Sequence, residues 1–523
     1  MKIFPPADVF SPKQWLSIIG ADLSACILWA SHFIFEYNAC IKIGLELYIL
    51  AICYLGCVLG GLFALKIIPK MNYYFAFLLF LSLDIMSLIV LITVENPIIV
   101  IITLFGAGFF GSSFTGLIFI QFSYALPDPK FNGRANCGGY FVINLLIVFM
   151  IVINSNLPLM NIIFLIAIFT IIIISTLIGK SDVNLPPQSS LRITKYIFDK
   201  KNIAEIFIAF FWGFFLTIPF YSTFLIYEGI ILQEFFNTFV LILFITFVIS
   251  LFIAGQIYDI LGRKVGMLLG LGIQALSFLL IVIINDEYYL DYIFPIVLGI
   301  GTTFFLTSIP LIFVEITPKK LIRDKMSLAY IFMGLGMIFA VVIAELLKNE
   351  FLKGFSYLVV YLLFMFLIAA IFISQIKETL PSKQELEWQG EMQYLFIYFK
   401  SGVTIYNQDL TKLGKKTYYR EDSEILLGGA LVAVSSIFNE ILRERKIIKI
   451  IKQENFTIHI EEGKHVIMAL IALHEIKKIR SKMQEFLDDF EDFFEDALVK
   501  GIAETQLFMP TTKIVQKHFF NYW

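Results

Sequence analysis

The chain has 523 residues, of which 59% are hydrophobic and 16% are charged, and its formal net charge is −2. Soluble domains carry more charge and alternate it with apolar residues, so the composition excludes a wholly soluble protein. Charge becomes frequent only after Lys383. We therefore expect a membrane body up to about residue 380, followed by a soluble tail.

Twelve apolar segments are long enough to cross a bilayer. A helix needs about 20 apolar residues to span a hydrocarbon core of about 30 Å. The predicted spans are 14–36, 44–66, 73–94, 98–124, 137–154, 158–179, 203–226, 234–256, 265–285, 292–314, 326–346 and 354–376. The first span carries Asp22 and lacks a cleavage pattern, so it does not resemble a signal peptide.

Basic residues predict the orientation of these spans. Lys and Arg are frequent in the segments on the side of both termini, whereas the opposite side holds only Lys42, Lys348 and Lys353. This bias predicts a multi-pass protein of the cell membrane with both termini in the cytoplasm. The polar connection 180–202 divides the body into two six-helix halves, 1–179 and 203–380, and residues 385–523 form the tail.

The two halves contain related sequences. "PKFNGRANCGGYFV" (129–142) and "PKKLIRDKMSLAYIF" (318–332) both place Pro-Lys five residues before an Arg, Arg134 and Arg323. "GQIYDILGRK" (255–264) has a weaker counterpart in "GLFALKIIPK" (61–70). The similar offsets indicate a parallel duplication of the kind found in transporters.

The segment 255–264 carries charge between two apolar runs. Gly255 allows two helices to approach closely, and Gly262 permits the chain to reverse. Asp259 can accept hydrogen bonds from the N-terminus of a neighbouring helix, where the helix dipole favours an anion. Arg263 can pair with a carboxylate, and Glu315 is the nearest candidate. The alternative is that Arg263 and Lys264 only follow the orientation bias, which leaves Asp259 and the glycine spacing unexplained.

Twelve spans, a central loop and G-x-x-x-D-x-x-G-R-K after the eighth span resemble the major facilitator superfamily over about residues 10–380. "EITPKKLIR" (315–323) is similar to an element of its sugar-porter-like members. The resemblance implies a latch that pairs Arg263 with Glu315 and Arg323, and that breaks when the cavity turns inward. In the first half, Leu65 replaces the acid at Asp259 and Leu126 replaces Glu315. Lys70 and Arg134 remain there, so gating is asymmetric or this half has another role.

The resemblance also implies that the first, fourth, seventh and tenth spans line a cavity. A carboxylate inside a membrane is a functional candidate, and Asp22 is the candidate for a proton or cation site. The alternative is an Asp bonded to a helix without any coupling role. Trp212 and Tyr221 would stack on a solute or only pack. The candidate cavity residues are Asp22, His32, Gln121, Trp212, Tyr221, Thr302, Thr303 and Thr307.

The tail reads as an α/β domain with the order ββαβββα. "QYLFIYFKSGVTIYNQ" (393–408) predicts a hairpin, and "SEILLGGALVAVSSIFNEILRE" (423–444) a helix. Three strands and an amphipathic helix over 478–501 follow, with Phe486, Phe490, Phe493 and Phe494 covering the sheet. The pattern resembles the longin and roadblock group, especially longin-like domains of archaea, which dimerise or serve as platforms for small GTPases.

The fold class predicted is therefore membrane all-α with twelve transmembrane helices, plus a soluble longin-like α/β domain. The expected function is transport of a small neutral or singly charged solute by alternating access, with a regulatory or assembly tail. The alternative is a membrane-anchored sensor or scaffold whose tail binds a small GTPase or dimerises. No phosphate loop, metal spacing or nucleophile with its base is present. We therefore expect no enzyme, cofactor or metal, and the lipid bilayer rather than nucleic acid as a partner.

Overall fold

The protein is described by a computed structural model. The structure describes residues 12, 14–19, 49–126, 131–153, 173, 202–227, 233–284, 292–318, 321–351, 356–380, 388–411, 449–454 and 456–520. The chain divides into two compact units, Met1–Leu380 and Pro381–Trp523.

The first unit is built from long helices. They are α1 (Leu50–Lys66), α2 (Tyr73–Thr93), α3 (Pro97–Ala125), α4 (Asn132–Ile153), α5 (Ile203–Tyr227), α6 (Gln233–Ile260), α7 (Arg263–Ile284), α8 (Phe294–Ile316), α9 (Ile322–Phe351) and α10 (Ser356–Gln375). They match the second to fifth and the seventh to twelfth predicted spans. The sixth predicted span, apart from residue 173, and most of the first lie outside the described residues. Within the described part, 7 helices are long and apolar enough to cross a membrane.

Short polar caps separate the apolar helices. The Asn72 side chain accepts hydrogen bonds from the first turn of α2, at Tyr74 N (3.1 Å) and Phe75 N (3.4 Å). Asn96 does the same for α3, where Pro97 occupies the first helical position. These caps satisfy N–H groups that would otherwise lack partners, and they fix where each apolar run becomes a helix.

Gly255 and Gly61, which the predicted duplication pairs with each other, both lie at close contacts between helices. A Cβ on Gly255 of α6 would lie 3.0 Å from Arg134 Cα and 3.1 Å from Cys137 Cβ of α4. A Cβ on Gly61 of α1 would lie 3.0 Å from Ser327 O of α9. Each contact therefore joins one helix of the first half to one of the second half at backbone distance.

The second unit contains a five-stranded antiparallel sheet. A short helix α11 (Trp388–Glu391) precedes β1 (Met392–Phe399) and β2 (Thr404–Asp409), and β3 (Ile450–Gln453), β4 (Phe456–Glu462) and β5 (Val466–Ala472) follow. The strand order is β2-β1-β5-β4-β3. The β1–β2 hairpin turns at Gly402, whose φ of 90° suits glycine, as the sequence predicts. The predicted helix 423–444 lies outside the described residues.

Helix α12 (Lys477–Phe493) packs on one face of the sheet. Phe486, Phe490 and Phe494 are buried against β1 and β5, but Phe493 is 65% exposed, so its predicted place on the sheet is wrong. The predicted helix over 478–501 is also divided, because the backbone leaves helical geometry at Phe494 before α13 (Glu495–Val499). Phe494 instead packs against the ring of Phe508, 5.0 Å away. The last α-helix is α14 (Thr511–Val515), and a π-helical segment, Gln516–Phe520, follows it.

A buried carboxylate of α12 holds the β4–β5 turn. Glu491 accepts hydrogen bonds from the backbone N–H groups of Lys464 (2.8 Å), His465 (2.7 Å) and Val466 (3.2 Å). We expect Glu491→Gln to destabilise this unit by about 1–3 kcal/mol, because an amide N–H₂ would face backbone donors. Hydrogen exchange of residues 456–472 measures the change. The exposed Glu495→Gln is the matched control, and equal protection in both variants would contradict the expectation.

His459 on β4 predicts a pH dependence of the same unit. Burial lowers the pKa of its imidazole, and its Nε2 lies 3.5 Å from His474 O. The unfolded chain takes up the proton at about pH 6.5, before the folded state does. Stability is therefore lost as the pH falls below about 6.5. Hydrogen exchange of β4 between pH 7.5 and 5.5 should show this loss, and His459→Gln should reduce it.

Candidate functional site

The segment 255–264 forms a tight reversal between α6 and α7. Helix α6 ends at Ile260, and α7 begins at Arg263. Gly262 between them has a φ of +111°, and a Cβ there would lie 2.3 Å from Glu378 Oε2. Only glycine satisfies both the left-handed backbone and the close carboxylate.

Asp259 joins the end of α6 to the beginning of α4. Its carboxylate accepts hydrogen bonds from Gly133 N (2.8 Å), Arg134 N (3.2 Å) and Arg134 Nε (2.9 Å). The carboxylate is buried and the Arg134 side chain is partly exposed. Because α4 belongs to the first half and α6 to the second, these bonds tie the halves together. They combine an ion pair with an anion at a helix N-terminus.

Arg263 lies between two carboxylates and is fully buried. Its Nη2 donates to Glu315 Oε1 at 3.0 Å and lies 3.7 Å from Asp259 Oδ1. Its Nη1 donates to Tyr258 O at 2.7 Å. A buried guanidinium needs such partners, since an uncompensated charge away from water is costly. We call the contacts of Asp259, Arg263, Glu315 and Arg134 the latch.

Three further residues bond to groups of the latch, and the sequence analysis did not identify them. Asn132 Nδ2 donates to Glu315 Oε1 at 3.1 Å, and the Thr379 hydroxyl donates to Glu315 Oε2. Glu378 accepts from Arg263 N (3.0 Å) and Lys264 N (3.1 Å) at the first turn of α7. The acidic residue directly after the last span was a usable signal, because charge is scarce in this part of the chain.

The helix ends offset part of the negative charge of the latch and of Glu378. Asp259, Glu315 and Glu378 carry three negative charges, and Arg134 and Arg263 carry two positive ones. The N-termini of α4 and α7 each contribute about half a positive charge. The helix ends therefore help to compensate the buried carboxylates.

A second layer of polar contacts lies one helical turn further into the bundle. Asn136 Nδ2 of α4 donates to Thr307 O of α8 at 3.0 Å. The Tyr258 hydroxyl bonds to Phe304 O (2.7 Å) and lies 2.8 Å from Thr307 Oγ1. Asn136 thus provides another contact between the halves.

The predicted threonines of α8 are engaged within the second half. Thr303 Oγ1 donates to Gly299 O (2.7 Å), and Thr307 Oγ1 donates to Thr303 O (2.7 Å). Thr302 Oγ1 accepts from Gln274 Nε2 of α7 at 2.9 Å. All three threonines are buried. Their hydroxyls bond to helix α8 itself or to its neighbours α6 and α7.

The other predicted residues have separate surroundings. Arg323 pairs with its neighbour Asp324 at 2.6 Å, and Lys264 Nζ donates to Ser374 O. Trp212 is buried, with its ring 5.6 Å from that of Tyr330. Of the other predicted cavity residues, Asp22 and His32 lie outside the described residues. The side chains of Gln121 and Tyr221 also lie outside them.

The described residues thus form long apolar helices with charged contacts at one end. Residues 203–447 match the model of the Major Facilitator Superfamily. The chain is similar in structure to the proton:xylose symporter XylE bound to 6-bromo-6-deoxy-D-glucose, with a TM-score of 0.51 and 14% sequence identity. The match covers 72% of this chain and 98% of that one.

A search of curated proteins found no match. Residues 203–447 are therefore similar to the predicted family, and the structural likeness confirms the predicted fold class.

Proposed function

We propose that this protein moves a small solute by alternating access and that the latch closes the cytoplasmic end of its pathway. The observation that carries the proposal is the bonding of Asp259 on α6 to Gly133 and Arg134 on α4. Bonds between the two halves at one end must break whenever that end opens. Buried charge pairs suit this role, because they are strong when dry and replaceable by water when exposed.

The latch is whole in one repeat only, which supports asymmetric gating. Leu65 and Leu126 stand where the second half has Asp259 and Glu315. Arg323, the counterpart of Arg134, pairs with Asp324 on its own helix. Lys325 of α9 pairs with Glu205 of α5 at 3.0 Å, again within the second half. We propose that the contact between α1 and α9 guides the movement, while the contact between α4 and α6 locks it.

We propose a neutral or singly charged solute, coupled to a proton or cation at Asp22. One solved structure of similar fold is a proton:xylose symporter, so monosaccharides and polyols are the first class of solutes to test. A carboxylate within the membrane can load and release a proton as its exposure alternates.

Transport by the reconstituted protein tests the proposal. Proteoliposomes should accumulate a labelled solute under a proton gradient, and Asp22→Asn should abolish accumulation while exchange continues. Glu495→Gln in the tail is a matched control that should transport normally. A folded protein that moves no neutral or singly charged solute across a broad panel would overturn the proposal.

The tail is proposed as an assembly or regulatory domain that binds a second copy or a small GTPase. Its five-stranded antiparallel sheet, with α12 on one face, supports the resemblance to the longin and roadblock group. The mass of the full chain in detergent should exceed that of one copy, or rise with an added GTPase. A chain ending at Leu380 should lose this behaviour. Monomers in every condition would argue against the domain's proposed role.

A further inference from the structure

We propose that Asn132 and Asn136 form a neutral second gate beside the charged latch, built so that closure stays reversible. The inference rests on the proposed alternating-access function. Both residues lie on α4, four positions apart and therefore on one face. Each crosses from the first half to the second: Asn132 to Glu315 and Asn136 to Thr307 O.

The orientation of both amides is fixed by what they bind. A carboxylate oxygen and a backbone carbonyl oxygen only accept hydrogen bonds, so each asparagine must present its N–H₂ group to them. The amide oxygens then point elsewhere. Asn132 Oδ1 and Asn136 Oδ1 are buried and have no hydrogen-bond donor among the described residues.

A half-satisfied amide has opposite effects on closure. Its N–H₂ bond favours the closed arrangement of α4 and α8. Its buried oxygen disfavours that arrangement, because an acceptor withdrawn from water without a partner loses a hydrogen bond that water would supply. When the two halves separate, water reaches both ends of the amide. The second gate thus opposes the strong ion pairs of the latch and keeps them from locking the transporter shut.

Asn144 on the same helix provides the comparison. It is buried like Asn136, but its Nδ2 donates to Tyr140 O of its own helix at 2.7 Å. That bond does not cross between the halves, so opening leaves it intact. A change at Asn144 alters the helix without altering the proposed gate.

Cys137 is a native reporter of opening. It is buried at the contact of α4 with Gly255 of α6, so a thiol reagent reaches it only when these helices part. Experiments use the full chain in proteoliposomes, with the other cysteines, Cys26, Cys40, Cys53 and Cys57, replaced by alanine. The labelling rate with a maleimide is divided by the rate in denaturant, which removes differences in intrinsic reactivity.

We expect Asn136→Leu to label Cys137 about five to ten times more slowly, because leucine has a similar shape and no unsatisfied oxygen. In Asn136→Asp, Cys137 should be labelled faster, because the carboxylate would have no N–H to donate and its oxygens would repel the Thr307 carbonyl oxygen. Opposite shifts from two substitutions at one position are not the result of a general loss of stability. The labelling rate of Cys137 in Asn144→Leu should stay within about twofold of the parent rate, because no bond between the halves changes. A tenfold change in rate would correspond to about 1.4 kcal/mol.

Other outcomes would overturn the inference. Equal or faster labelling of Asn136→Leu would show that the N–H₂ bond outweighs the buried oxygen. If Asn136→Leu fails to fold, an unchanged rate in Asn136→Asp would overturn it as well. Complete protection of Cys137 in the parent protein would show that this end does not open, which would refute the alternating-access proposal itself.

Discussion

Replacing Arg263 with methionine is expected to raise the labelling rate of Cys137 at least a hundredfold. Arg263 is fully buried, and its guanidinium pairs with Glu315 at 3.0 Å. Methionine fills the volume but removes the guanidinium that pairs with Glu315, and it leaves Asp259 to the hydrogen bonds from Gly133 and Arg134. Breaking one side of a buried ion pair costs about 3–5 kcal/mol, because an uncompensated charge stays in a poorly solvating site. Opening this end to water relieves that cost.

Two variants separate this effect from a general loss of positive charge. Lys264→Met removes the adjacent basic side chain, whose Nζ bonds only the Ser374 carbonyl oxygen among the described contacts, so its effect should be small. The double variant Arg263→Met with Glu315→Gln should recover much of the protection, since no unpaired charge remains there. Equal labelling rates of Cys137 in the Arg263 and Lys264 variants would contradict the latch. Both residues would then act only through the positive charge that sets the orientation of the spans.

Gly133→Ala should also open the latch end, by a steric route. A Cβ at this position would lie 2.6 Å from Asp259 Oδ1, 2.7 Å from Tyr258 Cβ and 3.0 Å from Gly255 O. Two of these atoms are held by the α6 backbone or next to it, so α4 must move away. Overpacking of this kind costs about 1–3 kcal/mol, which predicts roughly tenfold faster labelling of Cys137.

Gly272→Ala is the matched control for this substitution. Gly272 lies within α7, and a Cβ there would meet nothing within 4 Å. Alanine should therefore be neutral or slightly stabilising, as expected for a helix interior. If Gly133→Ala left labelling and transport unchanged, the close approach of α4 and α6 would not be required for closure.

The resemblance in sequence identified the charged residues of the latch but only some of the contacts between them. Asp259 and Glu315 stood out because carboxylates are rare among apolar spans. Asn132 and Asn136 did not, since polar uncharged residues are common at helix ends. Glu378 lies more than a hundred residues from the helix that it caps, and no local pattern connects them. The place of Arg323 in the latch stays a prediction, and the pair that it forms with Asp324 was not expected from the sequence.

In the tail, too, the sequence predicted local features but not those that depend on distant contacts. The alternation of apolar and polar residues and the Lys-Ser-Gly turn predicted the β1–β2 hairpin. Both signals depend only on residues that are close together in the sequence. The break of the acidic helix at Phe494 was not predicted. It depends on the packing of Phe494 against Phe508, which comes from outside the helix.

By itself, the sequence determined the apolar segments and the candidate charges at their ends, and it predicted two related halves. Hydrophobic length and charge bias follow from the bilayer as a solvent, so they can be read along the chain. Only the tertiary structure decided which carboxylate meets which cation, and which amide oxygens are left without a donor. Those outcomes depend on helices brought together from distant parts of the chain, where angstrom-scale differences decide whether a buried group is paired.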